Sequence, residues 1–361
     1  MDFSFTEAQH ELAGLTRHIV TDLVTPQTLG PHGSGGHDSA LWTAMAKAGL
    51  LDAALPNAVG GGGYGLLEQC STLTELGRAV APVPYLPTIT VAASVLAEHA
   101  DPMLVERWIL PAVRGEAVIA AAVPDAGAPA EWTVRRDQEN WLISGAQTAV
   151  PFGAFADGFL VLARTDSGQE AVVLVDLADA EAELTVSPQR TVDNADAAMV
   201  TAEDARAAAV FGGDAARTLR LRATAGLCAW QLGVLERAVE LTAAYARERT
   251  QFGKPIGGFQ AVRHRLADAH LDVEAVRLSL WQAAWQLEAD PANAAAAVAT
   301  AKYWAAEAGH RVAHTAVHVH GGVGIDVDHP LHRYYVAATR AEFTFGGATA
   351  QLRTLGDLLS H

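Results

Sequence analysis

The stretch from Arg247 to Asp268 reads Arg-Glu-Arg-Thr-Gln-Phe-Gly-Lys-Pro-Ile-Gly-Gly-Phe-Gln-Ala-Val-Arg-His-Arg-Leu-Ala-Asp. It joins two long segments of helical periodicity through a loop in which Arg249, Phe252 and Gln260 stand in an R-x-x-F-G-x(6)-Q arrangement. A guanidinium can pair with a pyrophosphate, a phenyl ring can stack on a flat heterocycle, and a carboxamide can hydrogen-bond to an adenine edge. The spacing alone leaves a simpler interpretation open, an ordinary helix–loop–helix corner with Arg249 exposed and Phe252 in the core.

The sequence on either side of this loop divides into three predicted domains. Residues 1–113 predict an N-terminal helical domain that begins after a capping box at Thr6–Gln9. Residues 114–210 carry short apolar runs around turn signals such as Asp166–Gly168, which predict a compact antiparallel β domain. Residues 211–361 return to helical spacing with short connections, which predicts a C-terminal four-helix bundle.

Composition excludes several classes of protein. The chain has 361 residues, with 25 Lys plus Arg against 41 Asp plus Glu and a formal net charge of −16. This balance argues against nucleic acid as a partner, which needs a basic face, although a local group of arginines can still hold an anionic ligand. The two cysteines, Cys70 and Cys228, make no disulfide framework and suit a reducing compartment. We find neither a signal peptide nor a membrane span, and therefore expect a cytoplasmic protein.

The motif of the loop resembles its counterpart in the acyl-CoA dehydrogenase family of FAD-dependent enzymes. The opening Met1–Gln9, the segment Leu55–Gly65 and the run His318-Val-His-Gly-Gly-Val-Gly324 also look like family segments at the expected places, so the resemblance covers essentially the whole chain. It implies a fold that is mainly α with a central β domain. It also implies FAD as cofactor, an acyl-CoA thioester as substrate and an electron-transferring flavoprotein as electron acceptor.

The resemblance assigns roles to two segments. In the family, the positions of Arg249, Phe252 and Gln260 reach across a subunit interface to the FAD of a neighbouring chain, which implies an oligomer. Gly321 and Gly322 would bring bare backbone to the adenine end of FAD, although a helix C-cap followed by a turn explains the same glycines. His318 stands where the family usually has Gln. The predicted FAD-binding residues are therefore Arg249, Phe252, Gln260, His318, Gly321 and Gly322.

The catalytic positions depart from the family pattern. Most members remove the α proton of the thioester with a Glu in a Tyr-Glu-Gly-Thr-like loop near the C-terminus. The corresponding position here holds Phe345 or Gly346, neither of which can accept a proton. Other members carry the Glu beside an Arg in the first long helix, but the neighbours of Arg222 are Leu and Ala. Glu342 is the nearest carboxylate and hence the candidate base, and a solvent-exposed helix residue is its simpler interpretation.

The predicted β domain departs as well. The loop Val123–Pro129 lacks the hydroxyl donors that the family directs at the flavin, and Ala149–Pro151 replaces a Trp-Ile-Thr-like run that covers the flavin. Phe152 could substitute in part for the lost aromatic ring. Val336 or Ala337 matches an Arg that usually precedes the catalytic loop.

The side chains that are missing are those with which a family member contacts its own flavin and substrate. The side chains that would contact the flavin of a neighbouring subunit, Arg249, Phe252 and Gln260, are present. This asymmetry favours a subunit of a heteromeric α2β2 acyl-CoA dehydrogenase that forms a Cα–Cβ double bond, shares an FAD site across an interface and lacks the usual Glu. Several such enzymes act on steroid-type CoA thioesters in actinobacteria, and the segment His329–Tyr334 looks like theirs. Two alternatives stay open: a self-sufficient homo-oligomer with an atypical base, and a flavin-free structural paralogue.

Three histidines follow at helical spacing just before the glycine turn. His310, His314 and His318 share one helix face, with His320 close by. A metal site is one interpretation, but three successive turns do not converge easily on a single ion. We therefore expect the imidazoles to pack against neighbouring helices and predict no metal.

Overall fold

The computed structural model describes residues 4–25, 36–126, 131–180 and 183–360. Met1–Phe3 of the family-like opening and residues 127–129 of the predicted flavin-facing loop lie outside the described residues. In the part that is described, no helix is long and apolar enough to cross a membrane.

The helices occupy both ends of the sequence, apart from the short α7 between two strands. They are α1 Glu7–Leu23, α2 Ser39–Lys47, α3 Leu66–Ala79, α4 Ser94–His99, α5 Pro102–Leu104, α6 Leu110–Val113, α7 Leu177–Ala180, α8 Gly213–Glu248, α9 Gln260–Ala289, α10 Ala295–His320, α11 Leu331–Phe343 and α12 Ala348–Leu359. Two π-helical segments, Tyr85–Ala93 and Val105–Ile109, precede α4 and α6. The predicted capping box is confirmed, because the Thr6 hydroxyl accepts from the Gln9 amide and the Gln9 side chain accepts from the Thr6 amide.

The strands lie in the middle of the chain, apart from one small hairpin. They are β1 Ile119–Ala122, β2 Trp132–Asp137, β3 Asn140–Pro151, β4 Gly158–Thr165, β5 Glu170–Asp176, β6 Leu184–Arg190, β7 Asp196–Arg206, β8 Ala209–Phe211, β9 Thr250–Gln251 and β10 Lys254–Pro255.

The central strands form one mixed sheet. Its order is β6-β7-β3-β2-β4-β5-β8, with β1 also paired to β4. The predicted class, mainly α with a central β domain, is confirmed. The prediction of a purely antiparallel sheet is wrong, because β4 runs parallel to both β1 and β2. Parallel neighbours are joined by long connections, and hairpin signals in the sequence do not reveal such pairings.

The described chain forms two compact units. The sheet unit contains residues 36–69, 82–126, 131–180 and 183–226, and its core gathers large side chains such as Trp132 and Phe159 between the strands. The bundle unit contains residues 4–25, 70–81 and 227–360. The three-domain division of the sequence stays a prediction.

Within the bundle unit, α10 is the central helix. It packs on α9, α11 and α12 through an alanine-rich surface that includes Ala301, Ala305 and Ala308. The Gln231 side chain of α8 donates to the Ala305 carbonyl at 2.9 Å. Small residues on these faces let the helix backbones approach closely, which holds the ends of α8 and α10 in defined positions.

Candidate functional site

The hairpin between α8 and α9 is a tight two-residue turn. Gln251 pairs with Lys254, and Phe252 and Gly253 at the turn have φ of 51° and 78°. Positive φ at both central residues is the pattern of a type I′ turn, whose twist matches the two strands. The amide of Ile256 donates to the Arg249 carbonyl at 2.8 Å and closes the base of the hairpin. The hairpin therefore has one backbone geometry that projects Phe252 at its tip.

The side chains predicted to bind FAD on this hairpin are exposed. The Phe252 ring is 92% exposed, so the simpler interpretation of Phe252 as a core residue is wrong. Arg249 is exposed and forms no ion pair with any described carboxylate. Gln260 is the first residue of α9, whose N-cap Phe259 gives no side-chain cap. An uncapped helix N-terminus beside a free guanidinium attracts an anion.

The glycine turn after α10 presents open backbone. Gly321 has a φ of 66°, and the space beside the α carbons of Gly321 and Gly322 is empty within 4 Å. Gly324 differs, because a β carbon there would meet His320 and Val317 at 3.0 Å. Gly324 is therefore required for packing, whereas Gly321 and Gly322 leave room for a ligand. His318, the third predicted residue of this segment, is also exposed.

A buried aromatic pair connects the hairpin to the glycine turn. The His320 ring, 4% exposed, stacks on Tyr245 with centroids 4.3 Å apart and planes 21° from parallel. Tyr245 lies in the last turn of α8, and the Arg249 amide donates to its carbonyl at 2.8 Å. Burial lowers the pKa of His320 and so favours its neutral imidazole. The sequence analysis did not predict that His320 is buried. The signal that indicates its burial is the apolar stripe of α10, on which it lies.

These features fit the adenosine diphosphate part of FAD. An unpaired guanidinium suits a pyrophosphate, an exposed phenyl ring suits a flat heterocycle, and open glycine backbone allows close approach. The residues that could hold the cofactor are Arg249, Phe252, Gln260, His318, Gly321 and Gly322.

Phe345 and Gly346, which we predict to stand at the family's usual base position, carry no carboxylate. Phe345 and Gly346 have φ of 59° and 88°, and the buried Gln351 side chain donates to both of their carbonyls at 2.9 and 3.2 Å. Lys302, which is 0% exposed, donates to the carbonyls of Ala341 and Glu342 at 3.0 Å. The loop is therefore fixed at both ends by buried donors and offers no proton acceptor at either aligned position.

The Glu342 side chain is partly buried, whereas the simpler interpretation predicts a solvent-exposed helix residue. Its side chain is 16% exposed, and one carboxylate oxygen lies 3.3 Å from Nδ1 of His310. The interpretation of Glu342 as a solvent-exposed helix residue is therefore wrong. A partly buried carboxylate beside an imidazole has the chemical character of a proton acceptor.

The histidine row makes ring contacts. His310 and His314 lie 4.4 Å apart between centroids, and His314 contacts Tyr335 edge-on at 5.8 Å. Among the residues that the structure describes, no group of three or more His, Cys, Asp or Glu is arranged to hold a metal ion.

The sheet unit shows backbone strain around Ala149 and Phe152, in the segment that we predict to replace the family's flavin cover. Strand β3 breaks register with β7 between Gln147 and Val150, and Ala149 and Phe152 both have φ of 56°. Phe152 meets the His37 ring edge-on at 6.4 Å. Close by, β7 begins at Asp196, where burial raises the pKa of the carboxyl to about 6 against the opposing effect of Arg190. A β-bulge next to a shifted carboxyl often accompanies a functional site.

Two further departures have structural counterparts. The Arg222 guanidinium of α8 lies 3.5 Å from Glu98 of α4, so its carboxylate partner comes from a distant part of the sequence. Val336 and Ala337 of α11, which match the family's Arg, are both buried.

Comparison with known proteins identifies similar chains. The family model for the N-terminal domain of acyl-CoA dehydrogenases matches residues 6–116, and the model for the C-terminal domain matches residues 212–359. The acyl-CoA dehydrogenase FadE27 of Mycobacterium tuberculosis is 43% identical over 366 residues, covering 99% of this chain and 98% of that protein.

Two solved structures are similar over nearly the whole chain. A chain of the ChsE4-ChsE5 complex from Mycobacterium tuberculosis is 44% identical with a TM-score of 0.94, covering 100% of this chain and 99% of its own. A chain of a variant Tcur3481-Tcur3483 steroid ACAD is 39% identical with a TM-score of 0.92, covering 98% of both chains.

Proposed function

Because this chain belongs to the acyl-CoA dehydrogenase family, we propose that it is one subunit of a heteromeric enzyme that introduces a Cα–Cβ double bond into a CoA thioester. Family membership confirms the predicted enzyme class, an oxidoreductase acting on acyl-CoA with FAD as cofactor. The proposal adds that this chain lends residues to an FAD site shared across a subunit interface and supplies no base from the usual position.

The hairpin tip is the observation that carries the proposal. The Phe252 ring is 92% exposed and is held by a left-handed backbone at the tip of a closed hairpin. Both the exposed apolar surface and the strained backbone are unfavourable, and covering the ring would offset this cost. A flat heterocycle bound to a neighbouring subunit would cover Phe252, while Arg249 would pair with the pyrophosphate and Gln260 would hydrogen-bond to the adenine. His318, Gly321 and Gly322 would border the same ligand from the end of α10.

Loss of the base points in the same direction. When bound, FAD would supply the acceptor for the hydride from Cβ of the thioester, and a base would have to remove the α proton. At the aligned position, Phe345 and Gly346 can orient neighbouring groups but cannot take that proton. The partner subunit would therefore supply the base. The similar steroid ACAD supports a bulky steroid-type acyl group, and we extend the proposal to an electron-transferring flavoprotein as acceptor and to a cytoplasmic location.

The test is the visible spectrum and mass of the chain purified alone and co-expressed with a homologue that has the complete family motifs. We expect a colourless lone chain and a yellow complex with one FAD per two chains. Arg249→Gln in the complex should lower its flavin content, whereas Arg135→Gln, a change at an exposed arginine of the sheet unit, should not. A lone chain that binds FAD and bleaches on adding an acyl-CoA would refute the shared site. A chain that stays colourless with every partner would favour the flavin-free paralogue.

A second candidate function is a self-sufficient homo-oligomer in which Glu342 is the base. The observation that favours it is the partly buried carboxylate 3.3 Å from the His310 imidazole. If Glu342 removes the α proton, Glu342→Gln should lower kcat of the purified homo-oligomer by about a hundredfold or more, while Glu307→Gln on the exposed side of α10 leaves it unchanged. Retained turnover in Glu342→Gln eliminates this candidate.

A further inference from the structure

The two segments that the proposed site needs are far apart in sequence, and one aromatic contact joins them. Tyr245 precedes Arg249 by one helical turn at the end of α8, and His320 directly precedes Gly321 at the end of α10. Their rings stack at 4.3 Å. The pair therefore links the end of α8 that leads into the hairpin with the end of α10 that leads into the glycine turn.

Each ring is held by further contacts. Nδ1 of His320 donates to the Ala316 carbonyl at 2.8 Å, and the His329 ring meets it edge-on at 5.2 Å. The Tyr245 hydroxyl donates to the His320 carbonyl at 3.4 Å, one of the acceptors that the end of a helix leaves without an intrahelical partner. The imidazole thus has a fixed tautomer and a fixed orientation, with the phenol ring lying flat against it.

The same pair shapes the backbone of the turn. A β carbon on Gly324 would lie 3.0 Å from the β carbon of His320, so the turn folds back against this histidine. Gly321 and Gly322 face open space on the other side. The histidine therefore supports the turn from within while the two glycines stay accessible.

We propose that the Tyr245–His320 stack is a positioning element that holds the α8–α9 hairpin and the Gly321–Gly324 turn as one surface for the adenosine diphosphate part of FAD. This inference rests on the proposed function, because it concerns the same ligand. Neither ring needs to touch the cofactor. The stack fixes the relative placement of the groups that do touch it. It should therefore matter most for the adenosine monophosphate half of FAD, which FMN lacks.

The experiment compares FAD and FMN binding. The co-expressed complex is stripped of flavin, and each flavin is titrated while its fluorescence is followed. Tyr245→Leu removes the stack and should weaken FAD binding roughly three- to tenfold, with FMN binding unchanged. Tyr245→Phe keeps the ring and loses only the long hydroxyl contact, so it should bind FAD as the unmodified complex does. His320→Leu removes the other ring of the stack, so that the result does not depend on the folding of a single variant. His320→Phe keeps an aromatic ring at this position and should bind FAD as the unmodified complex does.

The outcomes separate the two proposals. Equal weakening of FAD and FMN in Tyr245→Leu and His320→Leu would mean general loosening and would overturn the positioning role. Unchanged FAD binding in both leucine variants, together with a loss in Arg249→Gln, would also overturn it while leaving the shared FAD site intact. If Arg249→Gln binds FAD normally as well, the shared site itself is wrong.

Discussion

Three phenylalanines of this chain hold a left-handed backbone. Phe152, Phe252 and Phe345 have φ of 56°, 51° and 59°, a conformation that bulky L-residues adopt rarely and at a cost of about 1–2 kcal/mol each. The resemblance predicts that they stand at the flavin cover, at the lent hairpin and at the base position. Strain of this kind persists where the surroundings over-determine it, so the backbone at these three places is held by its neighbours.

Asp196 gives a prediction at the scale of one side chain. Burial raises the pKa of its carboxyl from 3.8 to about 6, so the folded state holds a proton that the unfolded chain releases near pH 4. The stability linked to this group is present below pH 4 and is lost as pH rises through 6. Asp196→Asn should therefore increase the free energy of unfolding at pH 8 by about 1 kcal/mol, a figure discounted for its partial exposure.

Urea unfolding at pH 8 and at pH 5 measures this effect, and the gain should shrink at the lower pH. Asp166→Asn, on an exposed turn of the same sheet, is the matched control and should change little at either pH. A gain of equal size at both pH values would contradict the assignment to ionisation.

The histidines show where sequence reasoning at this scale succeeds and fails. Helical spacing correctly put His310 and His314 side by side. It did not reveal that His320 is buried, although two residues rotate the side chain about 200° from His318 and bring it onto the stripe of Ala316 and Val319. Partner residues distant in sequence, such as Tyr245 for His320, are not encoded in local periodicity.

At the scale of elements, two glycines control a helix crossing in the bundle unit. A β carbon on Gly77 of α3 would lie 1.9 Å from the Trp230 carbonyl of α8, and one on Gly233 of α8 would lie 1.9 Å from the Thr74 carbonyl of α3. The hydroxyl of Thr74 also donates to the Ala229 carbonyl at 3.2 Å. The two backbones are therefore in direct contact, with no room for any side chain.

Gly233→Ala should accordingly destabilise the protein. The added methyl group meets backbone that cannot rotate away, so we expect a loss of about 1–3 kcal/mol in the free energy of unfolding, measured by urea titration. Gly14→Ala is the matched control, because nothing lies within 4 Å of its position in α1, and it should gain about 0.5–1 kcal/mol from helix propensity. Similar stability of the two variants would show that the crossing can relax.

Elements with strong local signals were predictable, and those set by distant contacts were not. The capping box of α1 and the β4–β5 hairpin follow from a few adjacent residues. The parallel pairing of β1 with β4 depends on segments that meet only in the folded sheet. The π-helical segment Tyr85–Ala93 also escaped prediction, since its residues are almost all buried and give no amphipathic period.

At the scale of the whole molecule, the chain resembles solved structures of similar chains over nearly its full length. The family models match regions at both ends, and the Gln351 side chain donates to the Phe345 carbonyl at 2.9 Å. In the heteromer that we propose, this shared architecture would let the chain assemble with a homologue that supplies the base. This interpretation comes from the family resemblance. Composition and hydrophobic periodicity do not distinguish a subunit that contributes residues to a neighbour's FAD site from a self-sufficient enzyme.

The burial of Lys302 has a consequence for studying the assembly. The chain has three lysines, and the other two, Lys47 and Lys254, are exposed. Lys254 lies in β10 of the hairpin, with its ammonium 4.5 Å from the Phe259 ring centroid. Isotopic labelling of lysine alone would therefore give a spectrum of three signals, one of which reports directly on the environment of the hairpin as a partner or a flavin is added.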